Sequence, residues 1–510
     1  MSTTVTYKGA TLTTAENQTR TLKTAGKYLE GDIVIEDVTA GGGGNPVATE
    51  NDVNFIDYDG TIRYSYTASE FADLESLPAH PSHTGLTAQG WNWALSDAKA
   101  YVQLYGGHEI GENYITDDGR TRLFLGMGMA ELLITLNVYV SGTIIVDWGD
   151  GSPSESITGS SLSTKVSISH QYVSGGEKII SIAVQTGIFR FKNTDGSHMV
   201  EAARASLSFN RGLITQIQLG NGYAFWGNDF QYNESLKTIT IPRTEIGNAS
   251  QVFSHCSNLS AIVVPPGASP STSSYFGDSF AFGCSSLEHI SLPRDVKRFG
   301  QYFLYQCTHL RRVCITDDAT GSSYYGYGLY GDSALRELLG FNYFWTNTAN
   351  GCSSLKRFGP LDAINACTST TLDSTFYNCH SLETLRITRA TAIRNGGLRA
   401  LTNLQELRFD MANPPTVNSS LDMSSLNSEC VILVPFDGLS SYLTATNYPN
   451  PSSYRYMGTG VFDSNVALPQ MDASNTYNVT WYATVADAKS QTNPIALGNG
   501  GRIYCRYVTA

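Results

Sequence analysis

One short phrase recurs eight times between Asn233 and Leu404: a small or polar stretch, a leucine, two variable residues, then an apolar residue. It reads Asn233-Glu-Ser-Leu236, Cys256-Ser-Asn-Leu259, Cys284-Ser-Ser-Leu287, Cys307-Thr-His-Leu310, Asp332-Ser-Ala-Leu335, Cys352-Ser-Ser-Leu355, Cys379-His-Ser-Leu382 and Leu401-Thr-Asn-Leu404. Successive leucines lie 23, 28, 23, 25, 20, 27 and 22 residues apart. A unit of that length cannot bury its own apolar face, but stacked units share a continuous core. The spacing therefore predicts a solenoid, an architecture that mainly displays surface. Binding is expected rather than conversion of a substrate.

Each unit continues into a strand of the form Leu-x-x-Ile-x-Leu-Pro, as in Leu287-Glu-His-Ile290-Ser-Leu292-Pro293. Alternation turns the leucines and isoleucine inward and the intervening residues outward. The outward pairs form a ladder: Thr238 and Thr240, Ala261 and Val263, His289 and Ser291, Arg312 and Cys314. Glu337 and Leu339, Arg357 and Gly359, Thr384 and Arg386, and Glu406 and Arg408 continue it. These residues are expected on an exposed sheet face, with Arg312 and Glu337 as candidate ligand contacts. Cys256, Cys284, Cys307, Cys352 and Cys379 hold the same place in different repeats, at spacings that match no CxxC metal or disulfide pattern. Buried free thiols, acting as small hydrophobes in a tight turn, are the expected use.

A chain of 510 residues predicts about three or four domains. The net charge of −12 is uneven. Residues 201–410 carry +1, and the other 300 residues carry −13. With no basic stripe, nucleic acid and anionic membrane are not expected partners. The first residues lack the apolar run of a secretory signal, and no stretch reaches the ~18 apolar residues of a membrane helix. Synthesis in a bacterial cytoplasm and no membrane insertion are the expectations.

Six segments are expected. Residues 1–40 are a small β attachment unit, and the glycine run Gly41 to Gly44 lies in a linker, 41–45. Residues 46–128 are a small α+β module with a hairpin turning at Asp59-Gly60 through a type I′ turn and a helix from about Gly90 to Gly106. Trp91, Ala94, Leu95, Ala98, Tyr101, Val102 and Tyr105 recur along one face of that helix as core. Residues 129–200 are strand-rich, 201–457 hold the repeats, and 458–510 are a small β unit with strands near Tyr477-Asn-Val-Thr-Trp-Tyr482 and Arg502-Ile-Tyr-Cys-Arg-Tyr507. The fold class is multidomain, β-rich α+β.

Asp147-Trp-Gly-Asp150-Gly followed by His170-Gln-Tyr172 resembles the PKD-type β-sandwich. Asp147 and Asp150 are conceivable Ca²⁺ ligands, but capping of turn amides is the commoner use. Phrases such as Phe253-Ser-His-Cys-Ser-Asn-Leu259 and Phe376-Tyr-Asn-Cys-His-Ser-Leu382 resemble the BspA-like leucine-rich repeats of bacterial surface proteins and phage tail proteins. Val431-Ile-Leu-Val-Pro435 with Leu443-Thr-Ala-Thr-Asn-Tyr448 resembles the exit segment of such arrays. Together these imply a PKD-like sandwich followed by a leucine-rich-repeat solenoid. The fifth unit departs from the pattern with Leu329-Tyr-Gly-Asp-Ser-Ala-Leu335.

Gly331-Asp332-Ser333-Ala334-Leu335 looks like the nucleophile block of GDSL esterases, yet its leucine is the repeat leucine and no downstream Asp-x-x-His supplies a base. No phosphate loop, zinc-protease helix or dinucleotide fingerprint is present, so no enzyme activity and no cofactor are expected. The best binding candidates are compositional. Tyr324, Tyr325, Tyr327 and Tyr330 crowd a Tyr/Ser/Gly loop, and Tyr343 and Trp345 follow within one repeat. Tyrosine gives large contact area with a polar tip at low entropy cost. Packing between rungs is an equal reading for the loop, and core the better one for Phe344.

Two further segments resemble modules of phage tail-fibre proteins: Thr21-Leu-Lys-Thr-Ala-Gly-Lys-Tyr28 with Gly31-Asp-Ile-Val-Ile, and Val53-Asn-Phe-Ile-Asp-Tyr-Asp-Gly60 with Leu86-Thr-Ala-Gln-Gly-Trp-Asn-Trp93. The resemblance implies a phage virion protein at the tail tip or fibre. It would meet other tail or baseplate proteins through its N-terminal region and a host surface glycan or protein through the solenoid. A homo-oligomer, a trimer by default, is implied for a fibre. A bacterial adhesin and a polysaccharide-degrading spike remain as alternative readings.

Overall fold

The computed structural model describes residues 4–7, 10–13, 51–128, 131–193, 198–204, 207–208, 212–244, 250–267, 275–296, 298–316, 326–341, 343–450, 455–461, 477–495 and 502–509. The chain divides into two compact units, Met1–Ala48 and Thr49–Ala510. Of the first, a hairpin is described, Thr4–Tyr7 antiparallel to Ala10–Thr13. The glycine linker and the segment Gly31 to Val38 lie outside the described residues.

The second unit opens with the α+β module. Its four-stranded sheet joins Val53–Ile56, Ile62–Tyr66, Leu86–Trp91 and His108–Thr116. The hairpin turn differs from the expected type I′, because Asp59 is not left-handed. Gly60 N donates to Asp57 O (3.0 Å), and only Gly60 takes positive φ (+87°), placing a bulge after an ordinary turn. The helix spans Leu95–Tyr105 and stops at left-handed Gly106. Its start falls later than Gly90, since Trp91 belongs to a strand paired with His108–Thr116. A short helix, Ala68–Asp73, is closed by a Thr67/Glu70 capping box.

Three long strands follow: Leu132–Asp147, Glu155–Tyr172 and Gly176–Arg190. The segment does not stand apart as a separate sandwich. An eight-stranded sheet takes in Thr121–Met127 before it and runs on through Ile214–Gln218 to Thr238–Thr240, the first repeat strand. Ile214–Gln218 is antiparallel to Thr121–Met127 and parallel to Thr238–Thr240. One buried cluster accordingly extends from Leu123 to Tyr456. The α+β module thus ends before Thr121, and the long-strand sheet caps the open end of the solenoid.

The repeat strands fall where the alternation placed them, and they pair in parallel from rung to rung. Each repeat cysteine reaches back one rung. Sγ of Cys256, Cys284, Cys307, Cys352 and Cys379 donates to the carbonyls of Phe230, Phe253, Ala281, Leu329 and Ala349, at 3.0–3.2 Å. The thiol serves as a small apolar filler that still satisfies a buried carbonyl, and these five are free and buried. At the C-terminal end Arg455–Val461, Tyr477–Tyr482 and Arg502–Thr509 extend the sheet. A helix, Val485–Ser490, caps this unit where only strands were expected.

The sheet face predicted to be open is largely covered. The α+β module lies on it, and outward-pointing Ala261, Val263, His289, Ser291, Arg312, Cys314 and Leu339 are all buried. Asn92 Nδ2 donates to Val264 O (3.0 Å) and to Ser291 Oγ (3.0 Å), and Trp93 Nε1 donates to Leu292 O (2.8 Å). Ser291 Oγ donates to Glu109 O (2.8 Å), and Glu109 pairs with His289 at 3.2 Å. At the far end Val431 and Leu433 sit under Tyr482, Val485 and Ala488 of the C-terminal unit.

His108, at this interface, is fully buried between Trp93 and Tyr101, and neither ring nitrogen has a hydrogen-bond partner. Burial, aided by the Arg312 charge, pushes its pKa down to about 3. Unfolded, this imidazole takes a proton near pH 6.5, so stability should fall as pH drops from there towards 3. The expected slope is up to about 1.4 kcal/mol per pH unit. In thermal melts from pH 7 to 4, His108→Phe should flatten that acid limb. An unchanged limb would mean that other groups carry it.

Candidate functional site

In each repeat the residue before the cysteine position is left-handed: Tyr232, His255, Gly283, Gln306, Gly331, Gly351, Asn378 and Ala400 have φ between 60° and 82°. That conformation costs a non-glycine residue roughly 1–2 kcal/mol. Its recurrence in every rung turns the chain at the same point and brings neighbouring side chains into register. The result is an aromatic column over five rungs. Tyr232 stacks on His255 (4.9 Å, 6°), and His255 meets Phe282 at 5.1 Å. Phe282 stacks on Tyr305 (4.8 Å, 1°), and Tyr305 on Tyr330 (5.0 Å, 6°). Beside it, Tyr302 stacks on Tyr327 at 5.3 Å.

All these rings are half-buried. Their faces are spent on one another, so edges and hydroxyls are what a partner would meet. Partial burial, together with Tyr330, Tyr302 and Tyr327 nearby, pushes the Tyr305 hydroxyl up, which keeps it a neutral donor. The column ends at Asn350, which is buried, and Tyr377 resumes it with Arg399 over its ring at 5.4 Å.

Of the residues singled out by composition, Tyr327 and Tyr330 join this column. Tyr324 and Tyr325 lie outside the described residues. Tyr343 and Trp345 form a separate edge-on pair (5.4 Å), with Trp345 38% exposed. Phe344 is core. Sequence reasoning missed Tyr302, Tyr305 and Phe282. Aligning the repeats on the cysteine would have put Phe282, Tyr305 and Tyr330 in one file, two residues upstream of it.

Arg312 and Glu337 require a correction. Arg312 is 6% exposed, and its Nε donates to Glu337 Oε2 at 2.5 Å. Its Nη1 donates to Asn51 O (3.1 Å) and Asp52 O (3.0 Å) of the covering module. Glu337 also holds Arg357 at 3.0 Å. Arg312 is therefore occupied within the chain as an anchor for the module, since the ladder face it stands on is not free at that rung.

The Trp-Gly-Asp-Gly turn closes on itself. Asp147 Oδ1 accepts from Gly149 N (3.0 Å), and Asp150 accepts from Ser152 N (3.0 Å) and pairs with His170 Nε2 (2.7 Å). Buried Trp148 stacks on His170 at 4.9 Å, and Tyr172 Oη donates to Trp148 O at 2.6 Å. Both aspartates cap turn amides, the commoner use. Asp332 of the esterase-like block is fully buried, accepting from Cys307 N at 2.7 Å with Oδ1. Burial pushes its pKa far above the carboxylate range.

Residues 206–327 match the BspA type leucine rich repeat region in 6 copies. No curated protein matches the chain. A crystal structure of a leucine-rich repeat protein from Bacteroides ovatus aligns at 13% identity and a TM-score of 0.24, covering 54% of this chain and 96% of that one.

Proposed function

We propose that the protein is a non-enzymatic phage virion component, at the tail tip or fibre, that binds a host cell surface through its leucine-rich-repeat solenoid. The observation that carries the binding part is the aromatic column Phe282–Tyr305–Tyr330 flanked by Tyr302 and Tyr327. Stacked tyrosines are pre-ordered, so a partner meeting their edges and hydroxyls loses little side-chain entropy on binding. Such a column is oriented for a surface glycan or protein.

The virion part rests on the resemblance of residues 21–35 and 53–93 to phage tail modules. In this reading Met1–Ala48 faces other tail or baseplate proteins, the PKD-like sheet stiffens the solenoid, and the mature form is a homo-oligomer, by default a trimer. Immunogold electron microscopy with antibody to residues 225–457 tests it. Label at the tail tip is the expected result. Label on bacterial cells with bare particles would replace it with the adhesin reading.

For the binding surface, Tyr305→Ala with Tyr330→Ala should weaken attachment to host cells by roughly tenfold or more, since each aromatic anchor contributes on the order of 1–2 kcal/mol. The far-UV spectrum should not change. Full attachment by the folded double variant would remove the column from the reading.

A further inference from the structure

Covered at both ends, the solenoid sheet keeps one window. The module reaches as far as Arg357, where a Cβ on Gly106 would lie 3.1 Å from its guanidinium. The C-terminal unit covers Val431 and Leu433. Between them the strands Thr384–Ile387 and Glu406–Phe409 present Thr384, Arg386, Glu406 and Arg408, none of them buried.

Here two guanidiniums share one carboxylate. Arg386 Nε donates to Asp410 Oδ2 (2.7 Å) and Arg408 Nε to Asp410 Oδ1 (2.9 Å), with side chains 37%, 16% and 20% exposed for Arg386, Arg408 and Asp410. Both arginines are held through Nε. Among the described residues their Nη groups have no partner. The clamp carries one net positive charge. Glu406, opposite Thr384, is within the field of Arg408 and of Lys489 of the C-terminal helix.

On the same sheet face the device recurs at Glu337, and there it is filled. Arg312 and Arg357 share Glu337, and Arg312 Nη1 is taken by the carbonyls of Asn51 and Asp52. The covered clamp therefore shows what the open one lacks: planar oxygen acceptors arriving from above the sheet. A guanidinium with both Nη free grips such a pair of oxygens bidentately.

We propose that the window around Arg386 and Arg408 binds the carboxylate of an acidic polysaccharide laid across the sheet. The covered clamp takes planar carbonyl oxygens, and a guanidinium fork matches the two oxygens of a carboxylate, so the occupant is assigned as a uronic acid. Strands about 4.8 Å apart make an opening roughly 10 Å wide, enough for one polymer strand. The choice of a polysaccharide rests on the cell-surface reading above; the carboxylate does not.

The test is binding of the full chain to immobilised polygalacturonate by biolayer interferometry. Wild type should bind, more weakly as salt rises. Arg386→Gln with Arg408→Gln should lose roughly tenfold or more in affinity. Should that variant misfold, Thr384→Glu keeps the question open to measurement. It adds a negative charge at an exposed position of the window, and it should weaken binding too. Failure of wild type to bind, or unchanged binding by folded variants, overturns the site. Equal binding to polyphosphate overturns the carboxylate assignment, and preference for poly-glutamate overturns the polysaccharide. Tyr305→Ala with Tyr330→Ala should bind polygalacturonate normally. If that variant also keeps full cell attachment, the tyrosine reading fails without touching this one.

Discussion

Gly111→Val is expected to lift the α+β module off the solenoid. A Cβ at Gly111 would collide with the Val263 side chain and lie 2.9 Å from Ser291 Cβ, so the two surfaces cannot stay in contact. The contact cannot open locally, because Asn92, Trp93 and Glu109 bond to the same two sheet strands within a few ångströms. Losing three or four buried hydrogen bonds and the packing around them is expected to cost about 3 kcal/mol or more. Trp91 and Trp93 are nearly fully buried, so their fluorescence should shift red. Protease should also cut between residues 50 and 120 before the solenoid opens. Gly128→Ala, where an added Cβ meets nothing within 4 Å, is the control and should be within about 0.5 kcal/mol of wild type. An unshifted melt and spectrum for Gly111→Val would mean the module does not rest on the sheet.

The same interface explains what the sequence concealed. Alternation identified which side chains leave the solenoid core, and every outward pair stands on a strand where expected except Gly359, which lies one residue past Arg357–Phe358. Alternation does not say what lies beyond that face, because the covering residues are some 200 positions away in the chain. One signal was available. Ala261, Val263, Cys314 and Leu339 are apolar at outward positions, which a solvated ladder would not favour. Thr384, Arg386, Glu406 and Arg408, further along, are polar, and that is where the cover ends. The docked face mixes polar with apolar outward residues, and the loss of the apolar ones after Leu339 accompanies the passage to the open face. The Trp-Gly-Asp-Gly turn was legible for the opposite reason: its partners are at most 24 residues away. The tyrosine column fell between these cases. Composition found Tyr327 and Tyr330, but stacking depends on the rung-to-rung register, which only the fold supplies.

Asp332→Cys is expected to stabilise the protein, and to do so more as pH rises. The carboxyl stands where five other rungs have a thiol. Each of those thiols donates to the carbonyl three residues before the same position of the preceding rung, and the equivalent carbonyl for Asp332 belongs to Leu304. Oδ1 accepts from Cys307 N, whereas Oδ2 is buried with no hydrogen-bond partner. A carboxylate there would bury a charge on an oxygen that no donor reaches. Burial therefore holds the acid in its protonated form. The unfolded chain releases the proton near pH 3.8 and the folded one keeps it. Stability is therefore lost as pH rises above 3.8, by up to about 1.4 kcal/mol per unit until the folded pKa is reached. Cysteine donates without that cost across the same range. Melts at pH 5 and pH 8 should show the variant above wild type at both, with the larger gap at pH 8. A gap that narrows towards pH 8 would mean Asp332 is ionised in the fold.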